Sequence, residues 1–263
     1  MTGGNMQTPS IQLRRDPAVQ YLLRLGDTCL ILGQRLASWC GHGPVLEEDI
    51  ALANIALDLV GQARALLTRA GQVEGCGHDE DQLAFLREER DYFNVTLVEL
   101  PRGDFAFTMV RNAIVATLLK LLWERLLGSS DTELAAIAGK AVKEARYHQQ
   151  HAADWVVRLG DGTPESRRRT EAALTALWRY TPELFVADAV EEAACAAGLG
   201  PRWAELQPAW RAEMAQILAA AGLSCPKETA FRSTGKQGVH SEHMGFILTD
   251  MQYLQRAYPG GQW

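Results

Sequence analysis

Residues 21–39 read Tyr21-Leu22-Leu23-Arg24-Leu25-Gly26-Asp27-Thr28-Cys29-Leu30-Ile31-Leu32-Gly33-Gln34-Arg35-Leu36-Ala37-Ser38-Trp39. Leu22, Leu25, Cys29, Leu32, Leu36 and Trp39 recur at spacings of 3, 4, 3, 4 and 3, the apolar stripe of an amphipathic helix. Gly41-His42-Gly43-Pro44 ends it. A second stripe, Leu52, Ile55, Ala56, Leu59, Ala63 and Leu66, opens after Glu47, Glu48 and Asp49, acids that suit the positive end of a helix dipole, and stops near Gly71.

The pattern continues along the chain. Gln72 to Asp81 reads as a loop, and Leu83, Leu86, Arg90, Phe93 and Leu97 predict a third helix up to Pro101. Asp104 can cap a fourth, through Met109, Ala113, Ala116, Lys120, Trp123 and Leu127 to Gly128. Ser130 with Glu133 has the capping-box form for a long fifth, ending at Gly160-Asp161-Gly162. A sixth runs from Pro164 to about Ala197, bent or divided at Tyr180-Thr181-Pro182, and a seventh follows Pro201 and ends by Gly222. Ser224 to Gly238 is irregular, and a last helix covers about Val239 to Ala257. Strand-like alternation is absent. The expectation is an all-α domain over residues 17–263, four long helices with shorter ones packed on them, behind a flexible tail at residues 1–16.

Composition narrows the function classes. The 263 residues are 47% hydrophobic and 22% charged, a globular balance, and the net charge of −6 supplies no broad basic surface for nucleic acid. Lys120 interrupts the longest apolar run, so no membrane span is expected. Met1 to Arg15 has no continuous apolar core of a secretory signal, which points to the cytoplasm. Cys29, Cys40, Cys76, Cys195 and Cys225 are odd in number and form no CxxC pair, so free thiols are expected. Asn94-Val95-Thr96 matches a glycosylation sequon but lies in a helical pattern and reads as chance.

Bundles of this kind can hold two irons, with a Glu on two helices and Glu-x-x-His on two others. The residues three before the six histidines are Trp39, Gly75, Ala145, His148, Gln237 and His240, so Glu-x-x-His is absent. HExxH, G-x-S-x-G and G-x-G-x-x-G are absent too, and Gly235-Lys236 has Ala230 where a P-loop needs glycine. Glu144, His148 and His151 share one helical face and read either as metal ligands or as a polar network. Asn54, Asp58 and Gln62 form another row, read as a solvated or inter-subunit face. Lys120, in register with Ala116 and Trp123, reads as a snorkelling lysine or as an ammonium facing Glu144 or Asp58 inside the bundle. His240 and His243 share a face, with Ser241 and Glu242 placed to support the start of the last helix.

Several blocks, in order along the chain, resemble the C-subunit family of the bacterial multicomponent phenylacetyl-CoA epoxidase, of phenylacetic acid degradation. They are Tyr21 to Asp27, Trp39-Cys40-Gly41-His42, Ala51 to Arg64, Lys143-Glu144-Ala145-Arg146-Tyr147-His148, and Met251 to Arg256 followed by Pro259-Gly260 and Trp263. The resemblance implies a ferritin-like fold with additional C-terminal helices. It also implies a catalytic A subunit that carries the di-iron site and epoxidises phenylacetyl-CoA with dioxygen. Electrons would come from NADPH through a reductase with FAD and an iron–sulfur cluster. The C subunit is then structural.

Laid on this chain, the catalytic relative's ligand positions fall on Cys29, Leu59, Gln62, near Ala116, Ala145 and His148, of which only the histidine suits iron. The resemblance therefore implies no catalytic, cofactor-binding or metal residue here. It leaves a residual polar network of Asp58, Lys120, Glu144, His148 and His151, and as partners the A subunit, other epoxidase subunits and a second copy of this chain. Anchors for a partner are expected among Trp123, Trp155, Trp178, Trp203 and Trp210. Two other readings remain: an independent metal-binding oxidase using Glu144, His148 and His151, and a CoA-thioester-binding module in which Lys236 and the Gly235 to Gly238 loop meet phosphate.

Overall fold

The structure, a computed structural model, describes residues 9–227 and 229–261, and among them it holds ten α-helices and no strand. The ordering begins at Asp16, whose carboxylate accepts from Ala18 N at 2.9 Å, and Pro17 fits the first turn because its missing N–H would have no partner there. Helix α1 (Pro17–Ala37) is buried from Tyr21 through Gly33 on all sides, which makes it a central rod. Helix α2 (Leu46–Glu74) returns along it and ends at Gly75, which takes the left-handed conformation at φ 71°.

A long crossover follows, containing the short α3 (Glu80–Phe85), before the second hairpin of α4 (Phe105–Leu126) and α5 (Thr132–Gly160). Helix α4 is buried almost all round, as α1 is. The extensive packing of α1 on α2 and of α4 on α5, closed by α2 against α5, gives two hairpins joined by one crossover, the ferritin-like arrangement. Helices α6 (Pro164–Trp178), α7 (Thr181–Leu184), α8 (Ala189–Ala196), α9 (Gln207–Ala220) and α10 (His243–Ala257) cover this core. By length and apolarity α2 and α4 could span a membrane, a likeness that the interruption at Lys120 conceals in the sequence. Here α4 is mostly buried in protein and α2 sets its inner face against α1 and α5.

Four expected boundaries move, each because a side chain takes over a backbone group. The third helix stops at Phe85 and gives way to 3-10 turns at Glu89–Asp91 and Thr96–Glu99. There Asp27 accepts the Phe93 N–H at 2.9 Å, Glu183 accepts that of Thr96 at 3.1 Å, and Arg87 donates to the Leu83 and Asp91 carbonyls. The cap of α5 is Asp131, which accepts from Glu133 N and Leu134 N, while Ser130 Oγ donates to the Ala197 carbonyl. The predicted sixth helix divides into three, since Pro182 lacks a donor and Asp188 starts α8 by accepting from Glu191 N. The last helix begins at His243, because Ser241 gives both its N–H and its hydroxyl to Glu99.

Of the predicted tail, residues 1–8 lie outside the described residues, as does Trp263. Its remainder is tied down: Ile11 N donates to the Leu86 carbonyl and Arg14 N to Glu74 Oε1. All five cysteines are free thiols.

Candidate functional site

The six positions implied as former metal ligands do come together. Cys29 on α1, Leu59 and Gln62 on α2, Ala116 on α4, and Ala145 and His148 on α5 are all buried where the four long helices meet. Leu59, Ala116 and His148, with Asn112, line one cavity of about 10 Å³, near the lower limit for a single water. Helix α4 thus faces the centre at Ala116, as the resemblance placed it. Asn112, one turn earlier, brings an amide that has no hydrogen-bond partner among the described residues.

The chemistry of this donor set does not fit a di-iron centre. Leu59, Ala116 and Ala145 carry no donor atom. Burial pushes the Cys29 thiol up to about 12, with the nearby Glu144 charge adding to it, and the thiol donates to Gln62 Oε1 at 3.6 Å. Gln62 in turn donates to Glu144 Oε2 at 2.9 Å, so both ends of its amide are engaged. His148 Nε2 lies 3.0 Å from Asp58 Oδ2; burial holds the ring below its ordinary pKa, and the Asp58 hydrogen bond offsets only part of that. Two ferrous ions need several carboxylates to balance their charge, and no Asp or Glu lines the cavity.

The candidate ligands Glu144, His148 and His151 do not converge either. Each meets a different residue of the antiparallel α2: Gln62, Asp58 and, at 2.8 Å, Glu48. They are the polar seam that fastens α5 to α2, with Arg69 and Asp131 closing its far end at 2.9 Å. Asp58 and Gln62 therefore turn toward α5 and only Asn54 of that row is exposed, a correction to the reading of one solvated face. Among the described residues no three His, Cys, Asp or Glu side chains are grouped to hold a metal ion. Lys120 is neither a snorkelling lysine nor a partner of Glu144 or Asp58: it pairs with Glu213 on α9, half-buried, so it drops out of the network.

The glycine loop is closed to phosphate. Lys236 is buried, its ammonium held by Glu191 Oε1 at 2.7 Å and the Val186 carbonyl at 2.8 Å. Burial lowers its pKa even beside that carboxylate. Arg24 shares Glu191 and reaches Asp188 as well. Glu183 takes the Lys236 N–H, and Glu99 takes His240, so three buried acids pin residues 233–241 to the core. His240 and His243 do not act as a pair, since His240 precedes the helix and is spent on Glu99.

Four of the five tryptophans expected as anchors belong to the core, and Trp155 is partly buried. Trp123, Trp203, Trp210 and Trp178 are buried, and Trp155 stacks edge-on against Phe105. Large exposed apolar side chains lie elsewhere, among them Leu46, Ile50, Leu57 and Val60 on α2, Tyr147 on α5, and Phe246, Tyr253 and Leu254 on α10. The α2 signal is present in the sequence, at residues 46, 50, 53, 57 and 60, but the inner stripe of the same helix is the stronger pattern and hides it.

Fold and interior together define a ferritin-like helical protein whose centre is filled by neutral side chains. The family model described as phenylacetic acid catabolic protein matches residues 1–263, and the chain belongs to that family. It is 49% identical over 243 residues to the C subunit of the 1,2-phenylacetyl-CoA epoxidase of Escherichia coli (strain K12), a match covering 92% of this chain and 98% of that protein.

Proposed function

We propose that this chain is the structural, non-catalytic C-type component of a phenylacetyl-CoA epoxidase in aerobic phenylacetate breakdown, acting in the cytoplasm. It packs against a di-iron A subunit, stabilises it and completes the surface on which a reductase delivers electrons from NADPH. The observation that carries this reading is the centre of the bundle. Positions that would need carboxylates hold Cys29, Leu59, Ala116 and Ala145, one that would need a histidine holds Gln62, and the space left between Leu59 and Ala116 is a cavity of about 10 Å³. The similarity to a protein named as an epoxidase subunit gives the reaction its substrate class. Burial of Lys236 argues against a CoA-phosphate contact through the 235–238 loop.

The test is reconstitution. Expressed alone in iron-rich medium, the chain should carry far less than one iron per molecule and turn over nothing. Co-expressed with the A subunit it should co-purify, and leaving it out should abolish or sharply reduce epoxidation. Two irons bound to the isolated chain with oxygen-dependent turnover would overturn the reading.

A further inference from the structure

Where α1 ends and α4 begins, three arginines spend their donors on main-chain carbonyls. Arg35 donates through Nε to the Glu99 carbonyl at 2.9 Å, and through Nη2 to the same oxygen. Arg111 donates through Nη1 to the carbonyls of Leu100 at 2.7 Å and Pro101 at 3.3 Å. Arg102 reaches the Ser38 carbonyl at 2.8 Å and lies over the Trp39 ring. Because carbonyls 99, 100 and 101 are consecutive, Arg35 and Arg111 are fixed beside one another along a single strip of backbone.

Among the described residues no carboxylate pairs with any of the three. The Glu99 carboxylate is taken by Asn94, His240 and Ser241, and Asp250 acts on Arg35 without forming an ion pair. The other two buried arginines are built differently: Arg24 meets Asp188 and Glu191, and Arg87 meets Asp27. Arg111 is fully buried, and its Nε and Nη2 have no hydrogen-bond partner, so three of its five N–H groups are unmet. Burial and the Arg35 charge lower its pKa to about 9, which leaves it cationic at pH 7.

A buried charge without a counter-charge is among the costliest features a fold can carry, and an unsatisfied buried donor points to a bound water or ion. The carbonyls and the C-terminal end of the α1 dipole offset part of the charge, but they do not engage the remaining N–H groups. What is missing is specific: a negative charge, small, able to accept from several sides. With Arg111 fully buried, a side chain from another protein cannot reach it, while half-buried Arg35 gives solvent its approach to the pair.

We propose that Arg111 and Arg35 bind a small monovalent anion, chloride in size, as the counter-ion that holds residues 99–101 to the ends of α1 and α4. The site is separate from the centre of the bundle and independent of the epoxidase reading, because it belongs to the isolated chain.

The test is urea unfolding of the whole chain at fixed ionic strength, with sodium chloride exchanged for sodium gluconate, whose anion is too large for a buried site. Chloride at ten times its dissociation constant should lower the unfolding constant about 10-fold. Arg111→Met, which puts an apolar group in place of the buried charge, should lose that dependence. Arg35→Gln, at a half-buried position, should weaken it, and decides the matter if Arg111→Met does not fold. Arg15→Gln, which breaks only the exposed pair with Asp91, should keep it. Crystals grown in bromide should show an anomalous peak in contact with Arg111. Equal unfolding in the two salts would overturn the proposal, since a water can satisfy the N–H groups without the charge. So would a chloride dependence that survives both Arg111→Met and Arg35→Gln, bromide bound only elsewhere, or a bromide peak here with no effect on stability, an adventitious ion only.

Discussion

Replacing Glu99 by glutamine tests how the C-terminal segment is held. The carboxylate is fully buried and takes four donors: Asn94 Nδ2 at 2.9 Å and His240 Nδ1 at 2.6 Å on Oε1, Ser241 N at 2.8 Å and Ser241 Oγ at 2.7 Å on Oε2. His240 Nε2 points at the Tyr92 carbonyl, 3.0 Å away, which can only accept. Both ring nitrogens therefore donate, and His240 is an imidazolium. Burial alone would lower its pKa, but the Glu99 hydrogen bond and charge, the Tyr92 carbonyl and the more distant Asp27 outweigh that and raise it. Arg35 donates to the Glu99 carbonyl, and Arg87 is paired with Asp27.

Glutamine keeps the shape, removes the charge and turns one acceptor into a donor that faces donors. Breaking a buried ion pair costs about 3–5 kcal/mol, a large share of a stability of about 5–15 kcal/mol. With a urea slope of about 3 kcal/mol per molar, the midpoint should fall by about 1–1.7 M. The pH dependence fixes the cause. Because the folded pKa of His240 lies above its unfolded value, its contribution is complete below about pH 6.5 and is lost as pH rises through the folded value. The gap between wild type and Glu99→Gln should thus be widest below pH 6.5 and narrow toward pH 9. A loss under 1 kcal/mol, or a gap independent of pH, would refute the ion-pair account.

Two further outcomes follow from the interior. His148 has the opposite sign: burial puts its folded pKa below the unfolded value, so stability should fall as pH drops through 6.5 toward that lower value, and a His148→Gln variant should lose this acid dependence. A histidine resonance for His148 titrating above 6.5 would contradict it. Cys29, with its thiol near 12, should be about 10³-fold less thiolate than an ordinary cysteine, so a chromogenic disulfide at pH 8 should label the exposed Cys40 and Cys76 quickly and Cys29 only in denaturant. Fast labelling of Cys29 in the native protein would show that the centre is open.

The parts of this molecule readable from its sequence are those where burial alone sets the pattern. Leu52 to Leu66 marks its helix correctly because one-sided packing imposes a 3.6-residue period, and Leu22 to Leu36 marks α1 although that helix is buried on all sides. Beyond α3 the crossover has a helical pattern without being a helix, since Asp27 and Glu183, distant in sequence, and the side chain of Arg87 supply the hydrogen bonds there. The polar seam is half legible. Each row is visible, Asp58 and Gln62 on one helix and Glu144, His148 and His151 on another, but only the antiparallel α2/α5 pairing joins them. Lys120 finds Glu213 across 93 residues, a pairing that no local period encodes. Tryptophan is a misleading guide to the surface, for its size favours core positions as strongly as interfaces.

The distribution of charge in the bundle gives these details a common reason. A centre lined with carboxylates is stable only while cations neutralise it, because unpaired buried charge is costly. In this chain the centre holds a thiol, an amide and aliphatic groups, and the acids lie off it: Asp58, Glu144 and Glu48 in the α2/α5 seam, each with its own partner. Of the deeply buried acids, Asp27, Glu99 and Glu191 are matched by Arg87, His240, Arg24 and Lys236 from this same chain, Glu74 meets His78, and Glu183 is held by the N–H groups of Thr96 and Lys236 and by the Ser233 hydroxyl. These buried carboxylates are balanced by groups of the same polypeptide. Such an interior suits the scaffold role proposed above, which requires one shape whether or not a neighbouring site is loaded.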